Sequence, residues 1–167
     1  AYAQYYRFDL FTNFTFFLND PVNGDGFQQS DRRVVYGGDV GYRHSGHLFD
    51  MDGAATVGVQ ARIDDIHARL GPQVKRAPLG STADSTIFEA SYAPFLKLEL
   101  QPTPWLRLAG GVRTEVFTFD VRNRCANCAE QPAGNTSMGL VLPKMNVILR
   151  PWFETEFFAN SGEGYHS

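Results

Sequence analysis

Apolar and polar side chains alternate along most of this chain with a period of two. The clearest case is the closing stretch, 143–167. There Met145, Val147 and Leu149 are apolar while Lys144 and Asn146 are not. Arg150-Pro151-Trp152 interrupts, and a second run sets Thr155, Phe157 and Ala159 against Glu156, Phe158 and Asn160. A strand points successive side chains to opposite faces, so this alternation predicts a two-sided strand. Proline lacks the ladder donor and fixes φ, so the first strand should end near Pro151. The stretch reads as a hairpin with a very short turn and an aromatic residue at the turn.

The rest of the chain repeats this plan. In 3–18, Tyr6, Phe8, Leu10, Phe14, Phe16 and Leu18 fall on even positions, and Arg7, Asp9, Asn13 and Thr15 on odd ones. That run is longer than the 9–11 or so residues a tilted strand needs to cross a bilayer. Strands are expected next over 32–44 (Val34, Tyr36, Val40, Tyr42 against Arg33, Asp39, Arg43) and 55–64 (Val57, Val59, Ala61, Ile63 against Gln60, Arg62, Asp64). Two more follow over 86–100, where Pro94 predicts a bulge or break, and 106–121. Each has one apolar side, which meets either a protein core or lipid.

The expected connections fall into two kinds. Those over 19–31, 65–85 and 122–138 are long and polar, with helical turns possible within 63–70. Those at 101–105 and after Arg150 are tight and carry tryptophan, and 45–53 is intermediate. Up-and-down outer-membrane barrels have short turns on one side and long loops on the other, with aromatic girdles at the interfaces. Trp105 and Trp152 both fall at the short-turn end.

Composition adds limits. With 167 residues, 14% aromatic, 20% charged and a net charge of -3, the chain is neither disordered by composition nor basic enough to argue for nucleic acid. Mean hydropathy is -0.27, which does not separate a soluble sheet from a barrel wall, since only alternate residues would face lipid. The polar side carries both signs: Arg7, Asp9, Arg33, Asp39, Arg43, Arg62, Asp64, Glu89, Lys97, Glu99, Arg107, Arg113, Glu115, Lys144 and Glu156. Placing so many charges in a dry core costs several kcal/mol each unless they pair, so a hydrated lumen is expected. Cys125 and Cys128 form a C-x-x-C in an Asn/Arg/Gly-rich loop. A local disulfide or two idle thiols fits that setting better than a redox or zinc site. His44, His47, His67 and His166 show no metal or catalytic spacing. A hydrolase dyad of His166 and Ser167 near Glu163 conflicts with strand geometry. No catalytic, cofactor or metal residue is expected.

The segments Arg150-Pro151-Trp152, Glu154-Thr155-Glu156 and Asn160-Ser161-Gly162-Glu163-Gly164-Tyr165-His166-Ser167 resemble the barrel domain of TonB-dependent outer-membrane receptors. Ser30-Asp31-Arg32-Arg33 with Tyr36-Gly37-Gly38, Arg62-Ile63-Asp64-Asp65-Ile66, Trp105-Leu106 with Gly111-Val112-Arg113, and Pro143-Lys144 agree in order and spacing, over nearly the whole chain. The resemblance implies an all-β, antiparallel up-and-down meander of about seven strands in a transmembrane β-barrel of the bacterial outer membrane. It implies TonB-driven uptake of a scarce nutrient such as a siderophore, cobalamin or glycan. The partners would be the lipid bilayer, a plug domain and a TonB-type energy-coupling protein. Family barrels have about 22 strands and a plugged lumen. Residues 1–167 show neither plug nor energy-coupling box, so part of a barrel with two unpaired edges is expected. Ligand contacts would come from the loops 19–31, 65–85 and 122–138. The alternatives are a lipocalin-like sheet holding an apolar ligand and an outer-membrane hydrolase.

Overall fold

A computed structural model describes residues 1–125, 128, 133–152 and 154–164. The fold is all-β. Among the described residues, seven longer strands and one short one form an antiparallel sheet that does not close. They are β1 (Tyr2–Thr12), β2 (Phe27–Leu48), β3 (Met51–Val74), β4 (Ala77–Pro78), β5 (Ala83–Thr103), β6 (Leu106–Asn123), β7 (Gly134–Trp152) and β8 (Thr155–Gly162). The order across the sheet is β1-β2-β3-β5-β6-β7-β8, with β4 paired to β3. The meander expected from the alternation is therefore present, with the short β4 added.

The boundaries differ from those the sequence suggests. The expected long connection over 65–85 is instead the far half of β3, a two-residue turn at Lys75 and Arg76, β4, and the start of β5. No helix forms in 63–70; that stretch lies within β3. The segment 45–53 shrinks to a turn at Phe49–Asp50, and β5 runs through Pro94 without a break. Conversely β1 stops at Thr12, so Phe14, Phe16 and Leu18 lie in a loop over 13–26.

The chain divides into two compact units. The first comprises Ala1–Gly37, Arg62–Ala90 and Thr118–Ser137; the second comprises Gly38–Ala61, Ser91–Phe117 and Met138–Ser167. In the first unit, register corrects one expectation. Tyr6 pairs with Arg33 and Phe8 with Asp31, so β1's aromatic side shares a face with those charges. The Arg33 guanidinium stands 5.8 Å from the centroid of the Tyr6 ring. Arg7 pairs with Arg32, on the face of Val34 and Tyr36. Arg7 and Asp9 therefore do not line up with Arg33, as the sequence suggested. Alternation shows that a strand is two-sided, whereas only register shows which side matches its neighbour.

Neither unit has an ordinary dry core. Among the described residues the buried apolar side chains are Val35, Ala54, Ile66, Ala90, Ala93 and Phe117, half of them alanine. Accessible surface is 11908 Å², against roughly 8,300 Å² expected for a compact monomer of 18.7 kDa. In the first unit Tyr36 is 51% exposed and Phe88 45%. In the second, Val40 is 68% exposed, Tyr42 66% and Val57 54%.

Charges are handled locally. Because residues i and i+2 share a strand face, Arg7–Asp9 (2.9 Å), Arg33–Asp31 (2.5 Å) and Arg62–Asp64 (2.7 Å) pair along single strands of the first unit. In the second unit Arg113–Glu115 (3.3 Å) and Lys97–Glu99 do the same, Arg43 reaches Glu99 at 2.6 Å, and Arg113 donates to Gln60. Asp64 and Glu115 are buried, yet their arginines remain partly exposed.

Candidate functional site

Three segments meet at one end of the first unit: the loop 13–26, the hairpin 71–82 and, after β6, Arg124, Cys125 and Cys128. The first loop is tied by two carboxylates. Asp20 accepts from the backbone N–H of Val22 and of Asn23, both at 2.9 Å, and from the Asn23 side chain at 3.0 Å. This is the turn an Asp before Pro21 is suited to make. Asp25 accepts from the Asp20 N–H (2.8 Å), the Asn19 N–H (3.0 Å), the Asn19 side chain (3.2 Å) and the Thr15 hydroxyl (2.8 Å). Hydrogen bonds led by the Asn23 N–H hold the Asp20 carboxyl below its ordinary range, and a set led by the Asn19 N–H does the same for Asp25.

This polar tie fixes Phe14, Phe16, Phe17 and Leu18 in exposed positions. Phe16 sits in the left-handed region at φ 56, with its carbonyl accepting from the Asp25 N–H at 2.6 Å. The loop docks where the Gln73 N–H donates to the Gly26 carbonyl at 2.8 Å. Gly26 is required there, since a Cβ would lie 2.7 Å from the Gln73 carbonyl oxygen. Between loop and hairpin lies a cavity of about 440 Å³. Phe14, Phe27, Pro72 and Leu79 supply its apolar walls, and Asn19 and Asp20 its polar groups. That volume is in the range of small-molecule sites.

On the hairpin's side, the Arg69 guanidinium donates to the Ser81 hydroxyl (2.7 Å) and the Gly80 carbonyl (3.0 Å). Cys125 and Cys128 are joined as a disulfide, the pairing their setting favoured along with idle thiols. Their sulfurs lie 3.7 and 3.1 Å from the Ser81 carbonyl, and the Arg124 N–H donates to the Asp84 carbonyl at 2.8 Å. His67 and Asp84 are in contact at 2.8 Å.

The three segments expected to carry ligand contacts thus come together, with altered limits. Residues 27–31 belong to β2, 65–74 to β3, and 134–138 to β7. Of the loop 124–133, residues 126–127 and 129–132 lie outside the described residues, as do Tyr165, His166 and Ser167 and hence the dyad considered there. His47 approaches Asp52 at 3.3 Å on an exposed hairpin of the second unit. The sequence reading missed Phe14 and Thr15, placed in a strand by their alternation, and Gly26 and Gln73, whose contact spans distant positions. The Asp-Pro-x-Asn-Gly-Asp-Gly run from Asp20 was the available signal for the tied loop.

The second unit holds a separate concavity of about 570 Å³, bordered by Gln60, Phe95, Lys97, Arg113, Lys144 and Asn146. No protein-family model, curated protein or solved structure matches the chain.

Proposed function

We propose that this sheet is part of the wall of an outer-membrane β-barrel of the TonB-dependent receptor kind, serving energised uptake of a scarce nutrient. The carrying observation is the bare apolar side of the strands. Val40, Tyr42, Val57 and Val59 lie on the second unit's face opposite Arg43, Gln60 and Arg113, and all four are exposed. Burying one such side chain is worth roughly 1.5–3 kcal/mol, so a sheet that leaves them in water lacks its main stabilising contact. A bilayer supplies that contact and leaves the charged face to a hydrated lumen. Strands of 18 to 24 residues (β2, β3, β5, β6, β7) exceed the length needed to cross it. Two-residue turns at Phe49–Asp50 and at Pro104–Trp105, in the second unit, contrast with the tied loops of the first.

In this reading the cavity beside Phe14 and Leu79 is where a nutrient first docks. A plug domain and a TonB-type protein complete the transporter, and β1 and β8 pair with further wall. The test is folding with and without an amphiphile. The account expects a β-rich, monodisperse species in detergent or lipid vesicles and aggregation in plain buffer. A stable monomer in buffer that binds apolar dyes would instead favour a lipocalin-like module. Uptake is tested by deleting the gene. One scarce nutrient should cease to enter the cell, and re-expression should restore it only when the inner membrane is energised.

A further inference from the structure

We infer that the first unit carries a binding site for a phosphate-bearing lipid headgroup, a reading that rests on the membrane placement proposed above. The site is a cleft of about 260 Å³ whose charged lining is Arg32, His67, Arg69 and Arg76, joined by Gln28 and Ser30. Among the described residues no carboxylate lines it. His67 has Asp84 as its partner, and Asp65 lies two residues along the same strand. Among the described residues none of the three arginines has a carboxylate within ion-pair distance. Arg69 is held by Ser81 and Gly80, and Arg76 stands 5.4 Å from the Phe11 ring centroid. Arg32 lies directly opposite Arg7, a like-charged cross-strand pair that destabilises the sheet unless an anion intervenes. Asp9 pairs with Arg7 at 2.9 Å, accepts from the cleft's Gln28 at 3.0 Å and offsets part of this repulsion, but it forms no ion pair with Arg32. On the unit's other face Arg33 and Arg62 are each neutralised by a neighbour two residues away. The cleft therefore gathers three arginines that, among the described residues, no carboxylate neutralises by an ion pair. Guanidinium forks suit phosphate oxygens, which accept two parallel N–H bonds.

The location selects a lipid rather than a soluble anion. Arg32 shares its face with Val34 and with the exposed Tyr5 opposite it, so the cleft begins two residues, about 7 Å, beyond the first exposed aromatic side chain. His67 likewise stands on the face of Ile63, and its partner Asp84 on the face of Phe88. The headgroup layer is about 5–8 Å thick on each side of the hydrocarbon. With Tyr5, opposite Val34, at the hydrocarbon boundary, the cleft falls at phosphate depth.

The test refolds the full chain into phosphatidylcholine vesicles containing a minority of phosphatidic acid, extracts it gently, and measures retained phosphatidic acid by native mass spectrometry. Wild type should retain it. The triple variant R32Q/R69Q/R76Q should lose retention roughly tenfold or more, and R32K/R69K/R76K should fall between, keeping charge but not the fork. Insertion into pure phosphatidylcholine, read by protease protection and circular dichroism, should be the same for all three. R32Q alone, which leaves the Arg69 and Arg76 contacts intact, provides a milder variant should the triple fail to fold. Equal retention by inserted wild type and variants overturns the site. Failure of wild type to insert into any vesicle overturns the membrane reading and the site with it. Inorganic phosphate bound without retained phosphatidic acid overturns the lipid assignment in favour of a soluble anion.

Discussion

The two units solve the problem of order without a dry core in different ways. The second relies on regular pairing: two-residue turns, β7 and β8 in continuous register from Lys144 to Leu149, and charges paired along or across strands at Lys97–Glu99, Arg43–Glu99 and Arg113–Glu115. The first adds side-chain-to-backbone bonds outside the ladder, with Asp20 and Asp25 together accepting four backbone N–H groups. Regular pairing favours an unchanging wall, and tied loops favour shaped cavities. The cavity beside Leu79 and the Arg69 cleft involve the tied unit's loops and turns, whereas the second unit's concavity is bordered by strand residues such as Gln60, Lys97 and Asn146.

Substitutions can separate the two strategies. The largest expected effect is Gly26→Val, which drives a side chain into the Gln73 backbone. It should cost about 2–3 kcal/mol in the first unit, read as lost exchange protection at the Gln73 amide while second-unit amides are unchanged. Next is the turn at Phe49 and Asp50, both left-handed at φ 53 and 61. Replacing them by Asn and Gly should stabilise the second unit by up to about 2 kcal/mol, seen in its unfolding midpoint. Glu115→Gln removes the partner of an arginine whose side chain is 35% exposed. Because Glu115 itself is buried, the substitution should cost about 1–2 kcal/mol, and the loss should change little as salt is raised.

The smallest effect is on acidity. Asp20 and Asp25 have carboxyls held below their ordinary range in the folded loop. Their contribution is complete above the unfolded value of about 3.9 and fades as pH falls through the lower folded value. Amide exchange in 13–26 should therefore accelerate at acid pH beyond its intrinsic trend, with the second unit unaffected. Asp25→Asn should make the loop less ordered at neutral pH and blunt the remaining dependence.

The same contrast explains what the sequence revealed. The strands nearest the short turns were legible because one side of each is apolar, as at Val57 and Val59 against Gln60. The outer half of β3, from Asp65 to Val74, was not. His67 and Arg69 occupy the side that earlier carried Val59 and Ile63, so the alternation fades while the strand continues. Polarity there looked like a loop. The opposite error came from Phe14, Phe16 and Leu18, which keep the alternation although Asp25 pulls them out of the sheet. The faces of β1 were assigned wrongly because register with β2, not the strand's own pattern, decides that Tyr6 meets Arg33. The Arg32, Arg69 and Arg76 cleft had no local signal, since it joins β2, β3 and a turn.

The most direct measurement concerns one short piece of β2 in the second unit. Single cysteines replace Asp39, Val40, Tyr42 and Arg43 in turn, in a Cys125→Ser/Cys128→Ser background. Each is labelled with a fluorophore in vesicles of brominated lipid. The account predicts strong quenching at positions 40 and 42 and little at 39 and 43. Equal quenching at all four, or none at 40 and 42, would contradict a lipid-facing side.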